Sequence, residues 1–182
     1  MKKIYYVLFS FVYFIFLNNC ASNVILVYNT DIQQEKQFIE ETGGFSLIIP
    51  SSWQIINNPP PGFKYKAIRG IEDNNTLIIA FTIDYNYDIP LNLMIDFLIH
   101  EWNTLYMNDF QLIYRSDFST NNNIVGEKLI TSTIIHGERY LNVVYFFPGD
   151  AKSIGASCTM QLESKNIFIE YIDKIMKTFK WI

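Results

Sequence analysis

The stretch IVGEKLITSTIIHGERYLNVVYFFPGDAKSIGASCTMQL, residues 124–162, contains three runs that resemble strands, separated by two short turns. The runs are rich in β-branched and aromatic residues, which favour strands. They cover residues 124–135, 139–147 and 153–162. The turns between them contain Gly137 and Gly149, and turns this short connect antiparallel neighbours. The stretch therefore predicts the centre of an antiparallel sheet.

Five more strand candidates precede this stretch. They are Phe45–Ile49, Trp53–Ile56, Phe63–Gly70, Thr76–Tyr85 and Phe110–Phe118. In the fourth candidate, both sets of alternating residues are largely apolar. This pattern predicts a central strand that is covered on both faces.

Two segments show helical periodicity. The first begins near Pro90, which suits a first helical turn, and runs to Tyr106. The second runs from Asn166 to Lys180. Their predicted buried stripes are Leu91, Ile95, Leu98, Trp102 and Leu105 in the first, and Phe168, Ile172, Ile175 and Phe179 in the second. The order of elements predicts an α+β fold, an antiparallel sheet with helices packed on its faces.

The N-terminus has the pattern of an export signal. Lys2 and Lys3 precede an apolar run, Ile4–Leu17, that is too short to span a bilayer comfortably. Residues 17–22, LNNCAS, resemble a bacterial lipobox, whose cysteine becomes the acylated first residue of the mature protein. We therefore expect residues 1–19 to be a lipoprotein signal peptide and Cys20 to carry the lipid. Cleavage after Ser22 and an uncleaved anchor are the alternatives.

This signal also predicts the organisation and location of the protein. Residues 20–42 are expected to be a tether, which could include a short helix through residues 32–41, and residues 43–182 a single globular domain. The domain would hang by its lipid from a membrane of the bacterial cell envelope, on the periplasmic or cell-surface side. Removal of the signal leaves 12 basic and 18 acidic residues. Such an acidic domain is a poor candidate for binding nucleic acid.

No catalytic, cofactor or metal site is expected from the sequence. His100 is predicted on the solvent side of the first helix and His136 in a turn, with no neighbours at metal-ligand spacing. Cys158 alternates with apolar residues on one strand face, which predicts a buried thiol with a raised pKa. No nucleophile elbow or phosphate-binding loop is present. The chain is therefore not expected to be an enzyme.

Four further features are weighed as contact sites. Asp84 and Asp88 flank an aromatic loop that could line a sugar-binding or ion-binding edge, although a solvated loop is the simpler interpretation. The loop Pro59–Pro61 could bind a partner, because prolines lose little entropy on binding, or it could be inert. Trp53 and Trp102 are expected to pack in the core rather than bind a ligand.

The segment GFSLIIPSSWQII, residues 43–56, resembles the opening of PsbP-like domains, which begin with a short strand, a proline and a tryptophan. The later order of elements, ending in Thr178-Phe179-Lys180, is also similar. The resemblance covers about residues 43–182. It implies an α-β-α sandwich around an antiparallel sheet, and proteins that act by binding partners, with no shared catalytic residues.

These observations lead to two functional hypotheses. The first is a membrane-anchored binding or accessory module for a protein partner, which would contact a sheet edge or the Pro59–Pro61 loop. The alternative is a small-ligand-binding protein or an unrecognised hydrolase of the envelope. A pocket with convergent polar side chains would favour the alternative, and an exposed apolar surface would favour the binding module.

Overall fold

The computed structural model describes residues 34–58, 65–72, 75–84, 89–106, 109–135, 137–150, 152–161 and 165–182. These ranges contain ten strands and two helices. The strands are β1 (Glu35–Glu40), β2 (Phe45–Pro50), β3 (Gln54–Ile56), β4 (Ala67–Glu72), β5 (Asn75–Asp84), β6 (Phe110–Ser119), β7 (Val125–Ile135), β8 (Glu138–Pro148), β9 (Ser153–Gln161) and β10 (Lys180–Trp181). The helices are α1 (Leu91–Tyr106) and α2 (Lys165–Lys177).

The strands form two antiparallel sheets. The larger has seven strands in the order β3-β4-β5-β9-β8-β7-β6, and the smaller has the order β1-β2-β10. The predicted hairpins β7–β8 and β8–β9 are confirmed, and they place Val143 opposite both Ile130 and Cys158. The large sheet is therefore built outward from the stretch that the sequence marked as its centre.

One face of the large sheet, here called the core face, bears the main hydrophobic core. Side chains of β5, β8 and β9 point into it, among them Phe81, Tyr145 and Cys158. The small sheet and α2 cover these side chains. Beyond the end of α2, the ring of Phe179 stacks on that of Phe147 with 4.1 Å between their centroids. The C-terminal residues are thus part of the core.

The opposite face, here called the helix face, is covered by α1. Met94, Ile95, Leu98 and Trp102 of the helix pack against Leu129, Val144 and Phe146 of the sheet. Most of the predicted stripe is confirmed, but Leu105 is 54% exposed and does not belong to it. The prediction that β5 is covered on both faces is also confirmed, because Ile78 to Phe81 are all buried.

The predicted fold class, an α+β α-β-α sandwich of one antiparallel sheet with helices on its faces, is wrong. The described residues form mainly strands, and these lie in two antiparallel sheets. Helix α2 has 13 residues and is too short to cover the core face of seven strands by itself. Phe38, Phe45, Leu47 and Ile49 of the small sheet cover the remaining area.

The second sheet was missed because its edge strand lies in the segment predicted to be a tether. Residues 35–40, which that interpretation also included in a short helix, form β1 and pair with β2. Phe38 is completely buried, so these residues belong to the folded part of the chain. The predicted C-terminal helix is also shorter than expected, since it ends at Lys177 and Lys180–Trp181 pairs with β2.

Candidate functional site

Several residues singled out in the sequence lie outside the described ranges. They are Cys20, the Pro59–Pro61 loop, Asp88 and His136. Asp84 is the last residue of β5, where its backbone pairs with that of Ser153. Lipidation of Cys20, the signal peptide and a contact role for the proline loop therefore stay predictions.

Cys158 is a core residue, as predicted. Its side chain is 1% exposed and lies in the main core cluster with Ile154, Ala156 and Met160. Burial raises the pKa of the thiol to about 12, although a backbone hydrogen bond from Ile78 partly opposes this shift. The protonated, enclosed thiol is neither a nucleophile nor a metal ligand at neutral pH.

The other residues weighed for chemistry occupy structural positions. His100 is exposed on α1, as expected. Trp53 is buried beside Tyr171, and Trp102 is buried against Phe110, which confirms that both tryptophans pack in the interior. In the described part of the chain, no three His, Cys, Asp or Glu side chains are grouped so that they could hold a metal ion.

Two ionic clusters connect the helices to the large sheet. On the core face, Lys128 bonds both carboxylate oxygens of Asp173 in α2, and the hydroxyl of Tyr145 donates to Asp173 Oδ1 at 2.6 Å. Burial, followed by the negative charge of Asp173, raises the pKa of Tyr145 well above its usual value. Each charge in this cluster has a partner of opposite sign, which indicates a structural role.

On the helix face, Arg115 of β6 joins the sheet to α1. Its Nε donates to Glu127 Oε2 at 2.6 Å and its Nη2 to Glu127 Oε1 at 3.2 Å, while Nη1 donates to Asp96 of α1. These hydrogen bonds raise the pKa of the guanidinium, those to Glu127 more than that to Asp96. Arg115 therefore holds α1 beside the edge of the sheet.

The outward side of α1 carries exposed apolar residues. Leu93 is 53% exposed and Phe97 is 44% exposed, and the two residues are one helical turn apart on the side opposite Ile95. Ile89, just before the helix, is exposed as well. We call Ile89, Leu93 and Phe97 the helix patch. Side chains of this kind, arranged at i and i+4, suit contact with another protein.

A second exposed apolar region lies on β6, the edge strand of the large sheet. Its residues Leu112, Ile113 and Tyr114 are exposed, with Tyr114 at 48%. A bulge between Leu112 and Tyr114 interrupts the pairing with β7 at this point. The pairing is regular from Tyr114 to Ser119. An edge of this kind offers backbone groups to a further strand.

A contact region at a sheet edge was predicted from the sequence, but not which edge, and the helix patch was not predicted. The signal for the patch was present in the sequence, because Leu93 and Phe97 are spaced at i and i+4 but lie off the predicted buried stripe. The edge position of β6 depends on strand order. Strand order arises from contacts distant in sequence and leaves no local pattern.

Comparison with known proteins places the chain by its fold. No protein-family model and no curated protein sequence matches it. Among solved structures, cyanobacterial PsbP (CyanoP) from Synechocystis sp. PCC 6803 is similar with a TM-score of 0.57 and 13% identity, over 87% of this chain and 99% of that one. In the described part of the chain, no helix is long and apolar enough to cross a membrane.

Two further solved structures share this architecture. LpqN of Mycobacterium tuberculosis, described as involved in cell envelope biogenesis, is similar with a TM-score of 0.56 and 15% identity, over 81% of this chain and 90% of that one. The Ran-binding protein Mog1p of Saccharomyces cerevisiae is similar with a TM-score of 0.52 and 7% identity, over 82% and 96%. These likenesses agree with the resemblance found in residues 43–56, and the chain has the PsbP-like fold.

Proposed function

We propose that the chain is a lipid-anchored binding or accessory module of the bacterial cell envelope, and that a protein partner binds its helix patch. The exposure of Leu93 and Phe97 on the outward side of α1 is the observation that carries the proposal. Both residues lie on a regular helix whose other side is fixed in the core, so the surface is formed before binding. We further propose that the module acts by binding rather than by catalysis.

The electrostatics of α1 indicate the chemistry of the partner. Helix α1 has two acidic residues, Asp96 and Glu101, and no lysine or arginine. Asp96 is already bonded to Arg115, and the mature chain is acidic overall. A partner surface that combines apolar side chains with some positive charge would complement this surface better than an acidic one.

The fold comparisons and the N-terminus support the envelope location. LpqN is described as involved in cell envelope biogenesis and Mog1p as Ran-binding, so similar folds occur in a protein with a role in envelope biogenesis and in a Ran-binding protein. A lipid on Cys20 would keep Glu35, the first residue of β1, within about 50 Å of the bilayer, given the maximal length of the connecting chain. The partner would therefore be a membrane protein or another envelope component near the membrane.

Site-specific photocrosslinking in intact cells tests the partner site. A photoreactive phenylalanine analogue at position 97 should form a discrete crosslinked product with a second protein. The same analogue at Leu105 is the matched control, because Leu105 is also an exposed apolar residue of α1 but lies about 12 Å further along the helix and about 80° around it from Phe97. Equal products at the two positions, or none at position 97, would contradict the helix patch as the binding surface.

Replacing Cys20→Ser tests the anchor separately. The variant should lose incorporation of labelled palmitate and should appear in the soluble fraction of lysed cells. A variant that stays in the membrane fraction, together with an unlabelled parent protein, would contradict lipid anchoring. The crosslinking result does not depend on this outcome, since the helix patch belongs to the folded domain.

A further inference from the structure

Strand β6 is an unusual sheet edge. It is ten residues long, and its outer side pairs with no strand in the described part of the chain. The opposite edge of the same sheet, β3, has only three residues. Short edge strands and edges rich in lysine or proline discourage the addition of another strand. From Tyr114 onward, β6 has regular pairing and neither lysine nor proline.

The part of β6 that pairs regularly with β7 has a self-complementary sequence. Residues 114–118 are Tyr-Arg-Ser-Asp-Phe, so each side of Ser116 has one charge followed by one aromatic residue, and the two charges are opposite in sign. If two such strands pair antiparallel with Ser116 opposite Ser116, Arg115 of each strand lies opposite Asp117 of the other. Tyr114 then lies opposite Phe118, whose ring is 7% exposed and packs edge-on against Tyr145 of its own chain. The two charge pairs are therefore the contacts that would stabilise this pairing, because opposite charges across neighbouring strands stabilise antiparallel sheets.

The charges near Asp117 favour this arrangement. Within one chain, Asp117 lies directly opposite Glu127 of β7, which places two carboxylates across neighbouring strands. Arg115 bonds Glu127 and Asp96, and no ion pair joins Asp117 to a described residue. A cation on a further strand, paired with the outer side of β6, would relieve the repulsion between the two carboxylates.

Arg115 can supply that cation to a second chain. A guanidinium has five N–H donors. Three of them bond Glu127 and Asp96, so two are left that bond no described residue. The Arg115 side chain is 29% exposed, so part of the guanidinium is accessible to a second chain. Arg115 and Asp117 lie on the same face of β6, as cross-strand pairing requires.

We propose that the occupant of the β6 edge is a second copy of this chain. Two copies pair β6 against β6, antiparallel about Ser116, and join their large sheets into one continuous sheet. The two-fold symmetry of this interface forms each Arg115–Asp117 contact twice. The pairing involves β6 and not the residues of the helix patch, so the inference does not rest on the proposed function.

Disulfide trapping tests the register. In the proposed pairing, the Cβ atoms at position 116 of the two copies lie roughly 5 Å apart, close to the separation that a disulfide needs. Ser116→Cys in the full-length chain, oxidised by diamide in intact cells, should give a covalent dimer that a reducing agent removes. Ser119→Cys is the matched control, because the same register places its two copies about 20 Å apart.

The parent chain corrects for any product that arises from Cys20 or Cys158. A dimer from Ser116→Cys that exceeds both controls supports the register. Equal products from Ser116→Cys and Ser119→Cys would overturn the inference. So would a mixed disulfide between Ser116→Cys and a different protein, since the occupant would then be foreign.

Asp117→Lys should have opposite effects on the stability of the single chain and on the formation of the dimer. Within one chain, the lysine would lie opposite Glu127 and should raise the free energy of unfolding. Between chains, it would face Arg115 of the second copy and should abolish the Ser116→Cys dimer. An unchanged yield of that dimer in the Asp117→Lys background would contradict the proposed pairing.

Discussion

Lys128 Nζ lies 2.7 Å from each carboxylate oxygen of Asp173, and this ion pair joins strand β7 to helix α2 across the edge of the main core. Tyr145 of β8 donates to the same carboxylate. The remaining contacts of α2 with the sheets are largely apolar, and such contacts specify position less sharply than directed hydrogen bonds. The Lys128–Asp173 pair therefore fixes where α2 lies along the sheet.

Lys128→Met should destabilise the protein, since it leaves Asp173 with only the Tyr145 hydroxyl as its partner in the cluster. Lys128 is 9% exposed and Asp173 is 26% exposed, so solvent screens part of the interaction. We expect a loss of about 1–3 kcal/mol in the free energy of unfolding, less than for a fully buried pair. Urea denaturation followed by circular dichroism measures this loss.

The double variant Lys128→Met/Asp173→Asn is the control for this interpretation. Once Asp173 is neutral, the loss of Lys128 no longer leaves a charge without its cation. The double variant should therefore lose less stability than the sum of the two single variants. Additive losses would indicate that the loss in Lys128→Met does not arise from the ion pair with Asp173.

Most secondary structure was predictable because it is encoded locally. The strand β8 illustrates this, since Val143 to Phe147 are continuously apolar and a strand buried on both faces needs that pattern. The small sheet was not predictable in the same way. The segment around Phe38 has polar and acidic neighbours, and it becomes a strand through its pairing with β2.

The positions of the candidate functional residues were likewise predictable only where a local sequence pattern determines them. The burial of Cys158 followed from the alternation of apolar residues along a strand, and the exposure of His100 followed from the helical periodicity of α1. Both predictions are confirmed. The Arg115 cluster was not foreseen, because Asp96, Arg115 and Glu127 are separated in sequence and meet only when α1 packs beside β6 and β7. Tertiary contacts between charged residues have no signature in a single sequence.

The buried thiol should make stability depend on alkaline pH. The pKa of Cys158 is raised to about 12 in the folded chain, whereas an exposed thiol titrates near 9. Below pH 9 the thiol is protonated in both states, so its contribution is constant. Between pH 9 and 12 the unfolded chain releases a proton that the folded chain retains. Stability should therefore fall in this window, by up to about 1.4 kcal/mol per pH unit from this group.

Comparison with Cys158→Ala isolates the thiol. The pKa values of Tyr145 and Tyr106 are also raised by burial, so some alkaline loss should persist in the variant. The cavity left by the substitution lowers stability by an amount that does not vary with pH. The variant should therefore show a shallower decline than the parent, both in a Cys20→Ser background. Identical slopes would mean that the thiol is accessible in the folded chain.

Phe179→Ala should be among the most damaging single substitutions, although the residue is only three positions from the end of the sequence. Its ring is fully buried between Phe147 and Phe45, with centroid distances of 4.1 and 5.5 Å. Removal of such a ring costs about 3–5 kcal/mol. Thermal unfolding monitored by circular dichroism measures this effect.

The exposed neighbour Lys180→Ala is the control for Phe179→Ala. Lys180 belongs to β10 and points away from the core, so its truncation should change stability by less than about 0.5 kcal/mol. If Phe179→Ala were equally mild, the C-terminal strand would not be docked as the structure has it.

Gly70→Ala should disrupt the packing of Trp53 against β4. A Cβ atom at position 70 would lie 2.1 Å from Cε2 of Trp53, and the indole is 1% exposed and packs beside Tyr171, so it has little room to move. We expect a loss of about 1–3 kcal/mol in the free energy of unfolding from this overpacking.

Trp53→Phe should also destabilise the chain, but its smaller ring would leave space for the new methyl group. The double variant Gly70→Ala/Trp53→Phe should therefore lose less than the sum of the single losses when all are compared by urea denaturation. Strict additivity would mean that the cost of Gly70→Ala comes from the backbone of β4 and not from the indole that covers it.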